Sequence, residues 1–157
     1  MDVYTQPPPL LKGEVRTFLE KAKIARMCTH NKDGTIHAVP VWFVYKNEKI
    51  MIGAPKKSRR VSNIKRNSNV TVLVDEEGPP TRAIIIYGEA SLDDKDMDNN
   101  AHAIFERYMT KEEAKNYWKG LAELTEWLLI VIKPTRLVSF DYAKDKRYLD
   151  ATKKYSS

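Results

Sequence analysis

The densest group of residues that could do chemistry is the basic segment Lys56-Lys57-Ser58-Arg59-Arg60. Its hydroxyl and two guanidinium groups fall at the predicted start of a short helix, where the first backbone N–H groups have no partner within the helix. Helix amino ends favour anions, and planar guanidinium groups form charge-assisted hydrogen bonds with phosphate oxygens. The segment therefore predicts a site for a phosphate monoester, and a solvated basic surface is the alternative interpretation.

The whole chain carries a formal charge of +6, with a pI near 9.3, so its surface attracts anions. Nucleic acid, anionic lipid and a phosphorylated small molecule are the candidate classes. One compact basic segment, with a looser one at residues 144–147, suits a compact anion better than a long polymer. A nucleic-acid-binding module that uses the charge and surface aromatic residues is therefore a competing hypothesis that we do not favour.

Other reactive residue types give little sign of a site. The three histidines, His30, His37 and His102, are far apart and lack metal-ligand spacing, so no metal site is predicted. Cys28 lies in an apolar run and is interpreted as an inert buried thiol. The chain shows no leader pattern and no apolar stretch of roughly 20 residues, so we expect a cytoplasmic protein with no membrane partner.

Hydrophobic periodicity predicts the elements that position the basic segment. A helix over 12–23 is followed by strands over 24–30, 35–45 and 50–52, and Asp33-Gly34 indicates a hairpin turn. After the short helix that begins beyond Ser58 come strands over 70–74 and 83–90, two helices within 93–121 divided by a capping box at Thr110, and strands over 127–132 and 136–142. Short turns favour antiparallel pairing, so the sheet is expected to close into a small barrel with helices outside.

The length predicts one domain over 1–157, with an N-terminal arm over 1–11 and a charged tail over 145–157. The apolar run over 127–132 exceeds what one small core needs and favours a homodimer. Aromatic residues at helical spacings, Phe105, Tyr117 and Trp118, are interpreted as core or dimer contacts.

The order and spacing of several motifs resemble the pyridoxamine-phosphate-oxidase-like family of FMN-binding proteins. The motifs are Asp33-Gly34, Pro40-Val41, Ser58-Arg59-Arg60 before Asn63-Ile64, Gly88, and Pro134 to Phe140, and they span about residues 14–142. The resemblance implies a mainly β fold with peripheral helices, namely an antiparallel split β-barrel of Greek-key type. It also implies a flavoprotein, an oxidoreductase acting on an unidentified small molecule, and a homodimer with shared cofactor pockets.

The resemblance also implies which residues contact FMN. Ser58, Arg59 and Arg60 match the phosphate contacts, and the strand along the flavin ring corresponds to Val39, Pro40, Val41 and Trp42. Gly53 and Ala54 match the position beside the ribityl chain, whereas Arg82 and Phe140 match contacts from the second subunit. No catalytic residue is predicted, because the flavin itself carries the redox chemistry.

The chain departs from the family near its C-terminus. Where pyridoxamine-phosphate oxidases have an Arg-x-His pair for the substrate, this chain reads Arg147-Tyr148-Leu149, which argues against vitamin B6 oxidation. A loop at Pro79-Pro80-Thr81-Arg82 resembles related deazaflavin-dependent reductases of the same fold, which are therefore an alternative. A flavin-binding carrier or sensor without turnover is a further alternative, because its binding residues would be the same.

Overall fold

The computed structural model describes residues 7–22 and 24–154. The described elements are, in order, α1 (Lys12–Lys21), β1 (Ala25–His30), β2 (Ile36–Val41), β3 (Val44–Lys46), β4 (Lys49–Pro55), α2 (Arg59–Arg66), β5 (Asn69–Glu76), β6 (Arg82–Asp93), α3 (Met97–Phe105), α4 (Lys111–Leu124), β7 (Trp127–Asp141), a 3-10 turn (Tyr142–Lys144) and α5 (Lys146–Lys153). The strands form one antiparallel sheet in the order β2-β1-β5-β6-β7-β4-β3, curled into the predicted split barrel with helices outside it.

Two tight turns set the register of the hairpins beside the basic segment. Gly34 has a φ of 87° in the turn between β1 and β2, a conformation that glycine adopts without a steric penalty, so the Asp33-Gly34 hairpin is confirmed. Between β3 and β4, Asn47 and Glu48 have φ values of 53° and 59°, as a two-residue hairpin of this kind requires. These turns make β3 lead directly into β4, which ends at the basic segment.

Apolar residues that alternate along β4 and β7 fill two cores. Ile50, Ile52, Ile130 and Ile132 point into the barrel, where Leu19 of α1 also packs. The opposite faces of the same two strands pack against α3 and α4 through the cluster Met97, Ala101, Ile104, Phe105, Ala114, Trp118 and Leu129. β4 is therefore buried on both faces just before it reaches Ser58.

Two predicted strand boundaries were wrong. The strand expected over 35–45 is divided into β2 and β3, because the Phe43 backbone N–H donates 3.1 Å to the Tyr108 hydroxyl and leaves the sheet. The two strands expected on either side of Pro134 are one continuous strand, β7. Pro134 pairs with Gly88 beside a bulge, beyond the last β4 pair at Ile132, where a strand tolerates a missing N–H donor.

The described beginning of the chain is tied to the end of β7. The Asp141 N–H donates 2.9 Å to the Pro8 carbonyl, and the Leu10 N–H donates 3.0 Å to Ser139 Oγ. The predicted charged tail forms α5, whose first turn is capped by the buried Asp145 carboxylate. Residues 1–6 of the predicted arm and 155–157 of the tail lie outside the described residues. None of the helices in the described ranges is long and apolar enough to cross a bilayer.

Candidate functional site

The loop from β4 into α2 places the Ser58 hydroxyl in an unusual environment. Ser58 occupies the N-cap position of α2, with φ −71° and ψ 156°, and its N–H donates 2.9 Å to the Pro55 carbonyl. The helix begins directly after Ser58, as the sequence predicted, but the Ser58 side chain makes no capping hydrogen bond. Its Oγ is buried and has no hydrogen-bond partner among the residues that the structure describes.

Arg60, two residues further on, brings a second buried polar atom to the same helix end. Its Nη2 donates 3.2 Å to the Gly53 carbonyl, while its buried Nε has no partner in the described part of the chain. Burial lowers the pKa of Arg60 from its ordinary value because it penalises the charged form. Arg59 is exposed beside it, and the first turn of α2 contains no acidic residue.

Such a site is suited to an anion with several oxygen atoms. An arginine side chain remains charged in proteins, and a half-buried cation without a counter-ion is costly. The first N–H groups of a helix have no partner within it, and the positive end of the helix dipole lies at the same amino end. The donor set fits a terminal phosphate group, which is the chemistry that the sequence predicted for this segment.

The barrel holds α2 in place through a buried amide. Asn63 Nδ2 donates to Thr29 Oγ1 at 3.0 Å and to Asn31 Oδ1 at 2.9 Å, and Arg66 donates 2.9 Å to Asn63 Oδ1. Val61 and Ile64 enter the barrel core on the same helix. The position of the Ser58 and Arg60 donors is thus fixed by contacts that do not involve those donors.

The predicted ring-binding strand lies near the same end of β4. Val41 is buried in the barrel core and Val39 packs against it, whereas Pro40 and Trp42 face outward and are exposed. The β3–β4 ladder ends at the pair of Val44 with Met51. Trp42 precedes this pair by two residues and Gly53 follows it by two, so both lie just beyond the same end of the ladder.

The structure shows what Gly53 and Ala54 can offer to a ribityl chain placed beside them. The Gly53 carbonyl accepts the Arg60 hydrogen bond, and a Cβ at Gly53 would come within 3.1 Å of Met97 Cε, so glycine there lets β4 approach α3 closely. Ala54 is fully buried with its side chain in the barrel core. Only the backbone of Ala54 is therefore available to a ligand.

Arg82 and Phe140, the two residues expected to come from a second subunit, lie away from Ser58 and Arg60 within one chain. Arg82 donates to both Glu76 carboxylate oxygens, at 2.9 and 2.6 Å, and its guanidinium lies 5.4 Å from the centroid of the Phe18 ring. Phe140 pairs with Ala83 near the C-terminal end of β7, whereas Pro55 pairs with Trp127 at the other end of that strand. One chain alone does not bring them to Ser58 and Arg60.

An aromatic group around Trp42 was not predicted as part of the site. Trp42 stacks on Tyr108 with ring centroids 4.4 Å apart and an interplanar angle of 11°. Phe105 and Trp118 are buried as expected, but Tyr117 is exposed. Helical spacing identified the rings on α3 and α4, and nothing local to Trp42 could have indicated a partner so distant in sequence.

Within the described ranges no three His, Cys, Asp or Glu side chains are grouped as a metal site would need. Cys28 is half-buried, and burial raises the pKa of its thiol, which disfavours the reactive thiolate. The redox-inert interpretation of this residue is therefore consistent with its surroundings.

Comparison with known proteins identifies the family. A protein-family model described as pyridoxamine 5'-phosphate oxidase matches residues 11–138. The chain belongs to the pyridoxamine 5'-phosphate oxidase family. No curated protein matches the chain in sequence. In this chain the barrel carries a helix start at which Ser58 Oγ and Arg60 Nε are buried without partners in the described residues.

Solved structures share the fold at low sequence identity. A conserved hypothetical protein from Mycobacterium tuberculosis matches with a TM-score of 0.78 at 19% identity, over 89% of this chain and 92% of that one. An FAD-binding protein from Mesorhizobium loti matches with a TM-score of 0.65 at 15% identity, over 84% and 95%. An F420 reductase matches with a TM-score of 0.62 at 19% identity, over 78% and 94%. These likenesses establish the split barrel of the pyridoxamine 5'-phosphate oxidase family.

Proposed function

We propose that the protein is a flavoprotein that binds FMN through its phosphate at Ser58, Arg59 and Arg60. The observation that carries the proposal is the pair of buried donors, Ser58 Oγ and Arg60 Nε, which lack partners among the described residues at a helix amino end. Buried polar groups in native proteins are almost always hydrogen-bonded, so two neighbouring buried donors without acceptors indicate that a ligand binds there. A phosphate would supply the missing acceptors and the counter-charge.

The remaining residues orient the cofactor. Arg60 is positioned by the Gly53 carbonyl, and Asn63 fixes the helix that carries it. The backbone of the segment from Val39 to Trp42 runs along the flavin ring, and the partner subunit of a homodimer contributes Arg82 and Phe140. Bound FMN supplies hydride and electron transfer, so the protein acts as an oxidoreductase on a small molecule without a dedicated acid or base.

The experiment is a flavin fluorescence titration of two variants. Arg59→Ala combined with Arg60→Ala should weaken FMN binding by a few kcal/mol, because hydrogen bonds to charged groups contribute about 1.5–3 kcal/mol each before non-additivity. Ser58→Ala should weaken it by about 1 kcal/mol while leaving the cofactor-free protein at least as stable as before, because the buried hydroxyl has no partner to lose.

Two control variants isolate the site from general charge and helix effects. Lys153→Ala combined with Lys154→Ala removes the same charge at exposed positions of the C-terminal helix, and Ser62→Ala removes an exposed hydroxyl one turn further along α2. Both should bind FMN like the original protein. Equal affinity in the Arg59/Arg60 variant would remove the phosphate assignment.

A deazaflavin cofactor is the second candidate, because an F420 reductase is among the structural neighbours. The phosphate-bearing tail of the deazaflavin cofactor would bind at the same cationic helix start. The absorbance spectrum of the purified protein separates the two, since a bound deazaflavin absorbs at shorter wavelength than FMN. Mass identification of the released cofactor completes the assignment.

A further inference from the structure

Four aromatic rings form a continuous group on the outer side of the barrel, here called the aromatic platform: Trp42, Phe105, Tyr108 and Tyr117. One face of Trp42 stacks on Tyr108. Tyr117 lies 5.9 Å from Trp42 at 39°, and Phe105 meets the edges of both rings at 5.9 and 5.0 Å. Offset, tilted and edge-on contacts of this kind are the arrangements that aromatic rings prefer.

Part of the platform is open to solvent. Trp42 is 36% exposed and Tyr117 is 43% exposed, while Phe105 is buried behind them. One helical turn beyond Tyr117, a Cβ added to Gly120 would meet no atom within 4 Å. The surface beside Tyr117 is therefore uncovered within the described chain. Large exposed rings in contact with one another mark a binding surface more often than isolated ones do.

Tyr108, the ring on which Trp42 stacks, lies among hydrogen bonds that join three parts of the chain. The Tyr108 hydroxyl accepts from the Phe43 N–H at 3.1 Å, and Arg107 donates to the Phe43 carbonyl and, at 3.0 Å, to the Glu20 carbonyl. Burial raises the pKa of Tyr108, so its ring stays a neutral phenol. A platform fixed in this way loses little entropy when a flat molecule stacks on it.

The platform adjoins the proposed cofactor site. Trp42 directly follows β2, which ends at Val41, and it lies beyond the same end of the β3–β4 ladder as Gly53. A molecule stacked on Trp42 and Tyr117 would therefore lie beside a cofactor bound at Gly53 and Arg60.

We propose that the aromatic platform binds the substrate, and that the substrate is a planar aromatic ring with little charge. This inference rests on the proposed function for the neighbouring cofactor. Trp42 and Tyr117 offer π surface and one phenolic hydroxyl, which is chemistry that recognises a flat, weakly polar ring. The source of specificity is then ring planarity, because a saturated ring of the same size has no flat π face to place against Trp42 or Tyr117.

Isothermal titration calorimetry with 2-naphthol tests this assignment, with its saturated counterpart decahydro-2-naphthol as the non-planar probe. Each is titrated into the FMN-loaded and the cofactor-free protein. We expect 2-naphthol to bind more tightly than the saturated compound in both forms. Tyr117→Leu and Trp42→Leu should each weaken its binding about tenfold, the range that stacking on one ring contributes. Leu124→Ala removes a 79% exposed apolar side chain from the same helix as Tyr117 and should change nothing.

The outcomes separate this inference from the proposed function. Binding of 2-naphthol to the cofactor-free protein that depends on Tyr117 supports the platform even if FMN fails to bind. Because Trp42→Leu alters the strand that leads into β3, Tyr117→Leu on α4 is the decisive variant. Equal binding of the planar and saturated probes, or unchanged 2-naphthol affinity in Tyr117→Leu, overturns the assignment. Loss of FMN affinity in Tyr117→Leu with 2-naphthol binding intact also overturns it, since the rings would then serve the cofactor.

Discussion

Ser58 and Arg60 stand out when they are compared with another buried polar residue of the same helix. Asn63 is buried too, but its amide makes hydrogen bonds to Thr29, Asn31 and Arg66. It therefore serves the fold and needs nothing from outside. Because the Ser58 hydroxyl and the Arg60 Nε lack such partners in the described residues, their burial is costly until a ligand binds. Asn63 therefore positions α2, whereas Ser58 and Arg60 are available to bind a ligand at its amino end.

The residues beyond the C-terminal end of β7 predict that the protein does not oxidise vitamin B6 phosphates. Tyr148 packs on Tyr142 with ring centroids 4.8 Å apart, and Tyr142 meets Phe140 edge-on at 5.6 Å. The neighbouring Leu149 stands where the family's oxidases hold the histidine of their Arg-x-His pair. A substrate placed there would lack the polar contact of that histidine, which costs large factors in rate. We expect no useful oxidation of pyridoxamine phosphate or pyridoxine phosphate by the FMN-loaded protein.

Oxygen consumption by the FMN-loaded protein measures this directly. FMN fluorescence in the same sample serves as the control that the cofactor is bound. Turnover near one per second, an ordinary enzymatic rate, would contradict the prediction and make vitamin B6 metabolism the function after all.

At the residue scale, local chemistry was predictable and long-range contacts were not. The cationic helix start at Ser58 to Arg60 could be inferred because its donors are consecutive in sequence. The stacking of Trp42 on Tyr108 depends on how the chain folds α3 against β4, which no local pattern encodes. For the same reason the sequence could not indicate that Arg82 is engaged by Glu76.

At the scale of elements, a bulge in β7 controls how this strand runs beside β6, because Thr135 is the extra residue between Pro134 and Arg136. The register between the two strands shifts at Tyr87 and Gly88, and the shift accommodates Pro134. A Cβ at Gly88 would lie 2.7 Å from the Lys133 carbonyl oxygen and 2.8 Å from Ile132 Cγ2. The backbone approach at this point therefore requires glycine.

Gly88→Ala should lower the free energy of unfolding by about 1–3 kcal/mol, the usual cost of overpacking a well-packed site. Gly120→Ala is the matched control, because its Cβ would meet nothing within 4 Å and alanine favours a helix by about 0.5–1 kcal/mol over glycine. Urea denaturation of both variants measures the two effects. Similar changes in the free energy of unfolding of the two variants would show that the structure accommodates a Cβ at position 88 without loss of stability.

Most elements were predictable because their apolar periodicity is strong. The capping box at Thr110 and Glu113 is present as expected, with hydrogen bonds of 3.0 and 3.2 Å. The errors fell where tertiary contacts override local signals. Pro134 reads as a strand terminator in sequence, but beside a bulge and beyond the last β4 pair its missing donor costs nothing.

At the scale of the whole molecule, the reason first given for a homodimer is wrong. The apolar run over 127–132 is covered within the chain, by the barrel core on one face and by α3 and α4 on the other. An apolar face lies elsewhere, on the outer side of β5, β6 and the C-terminal half of β7. Leu73, Ile85 and Val138 occupy paired positions there, are only partly buried, and belong to neither core cluster.

This outer face leads to the final prediction, a homodimer that completes the cofactor site. Phe140 lies on the same strand as Val138, while Ser58 and Arg60 lie near the other end of β7, so a second copy is needed to bring Phe140 to the phosphate site. Symmetric pairing through one apolar face is the commonest way to cover such a surface. We therefore expect light scattering to give a dimer at micromolar concentration with cofactor bound.

Ile85→Lys places a charge in the centre of the outer face and should produce a monomer that binds FMN much more weakly. Desolvating an unpaired charge at an interface is costly, and the partner's contacts would be lost with the dimer. Leu137→Lys is the matched control, since Leu137 is exposed and its strand partner is Ile86, whose side chain lies in the barrel core on the opposite side of the sheet. A monomeric original protein that still binds FMN tightly would refute the shared pocket, as would a monomeric Ile85→Lys variant with unchanged FMN affinity.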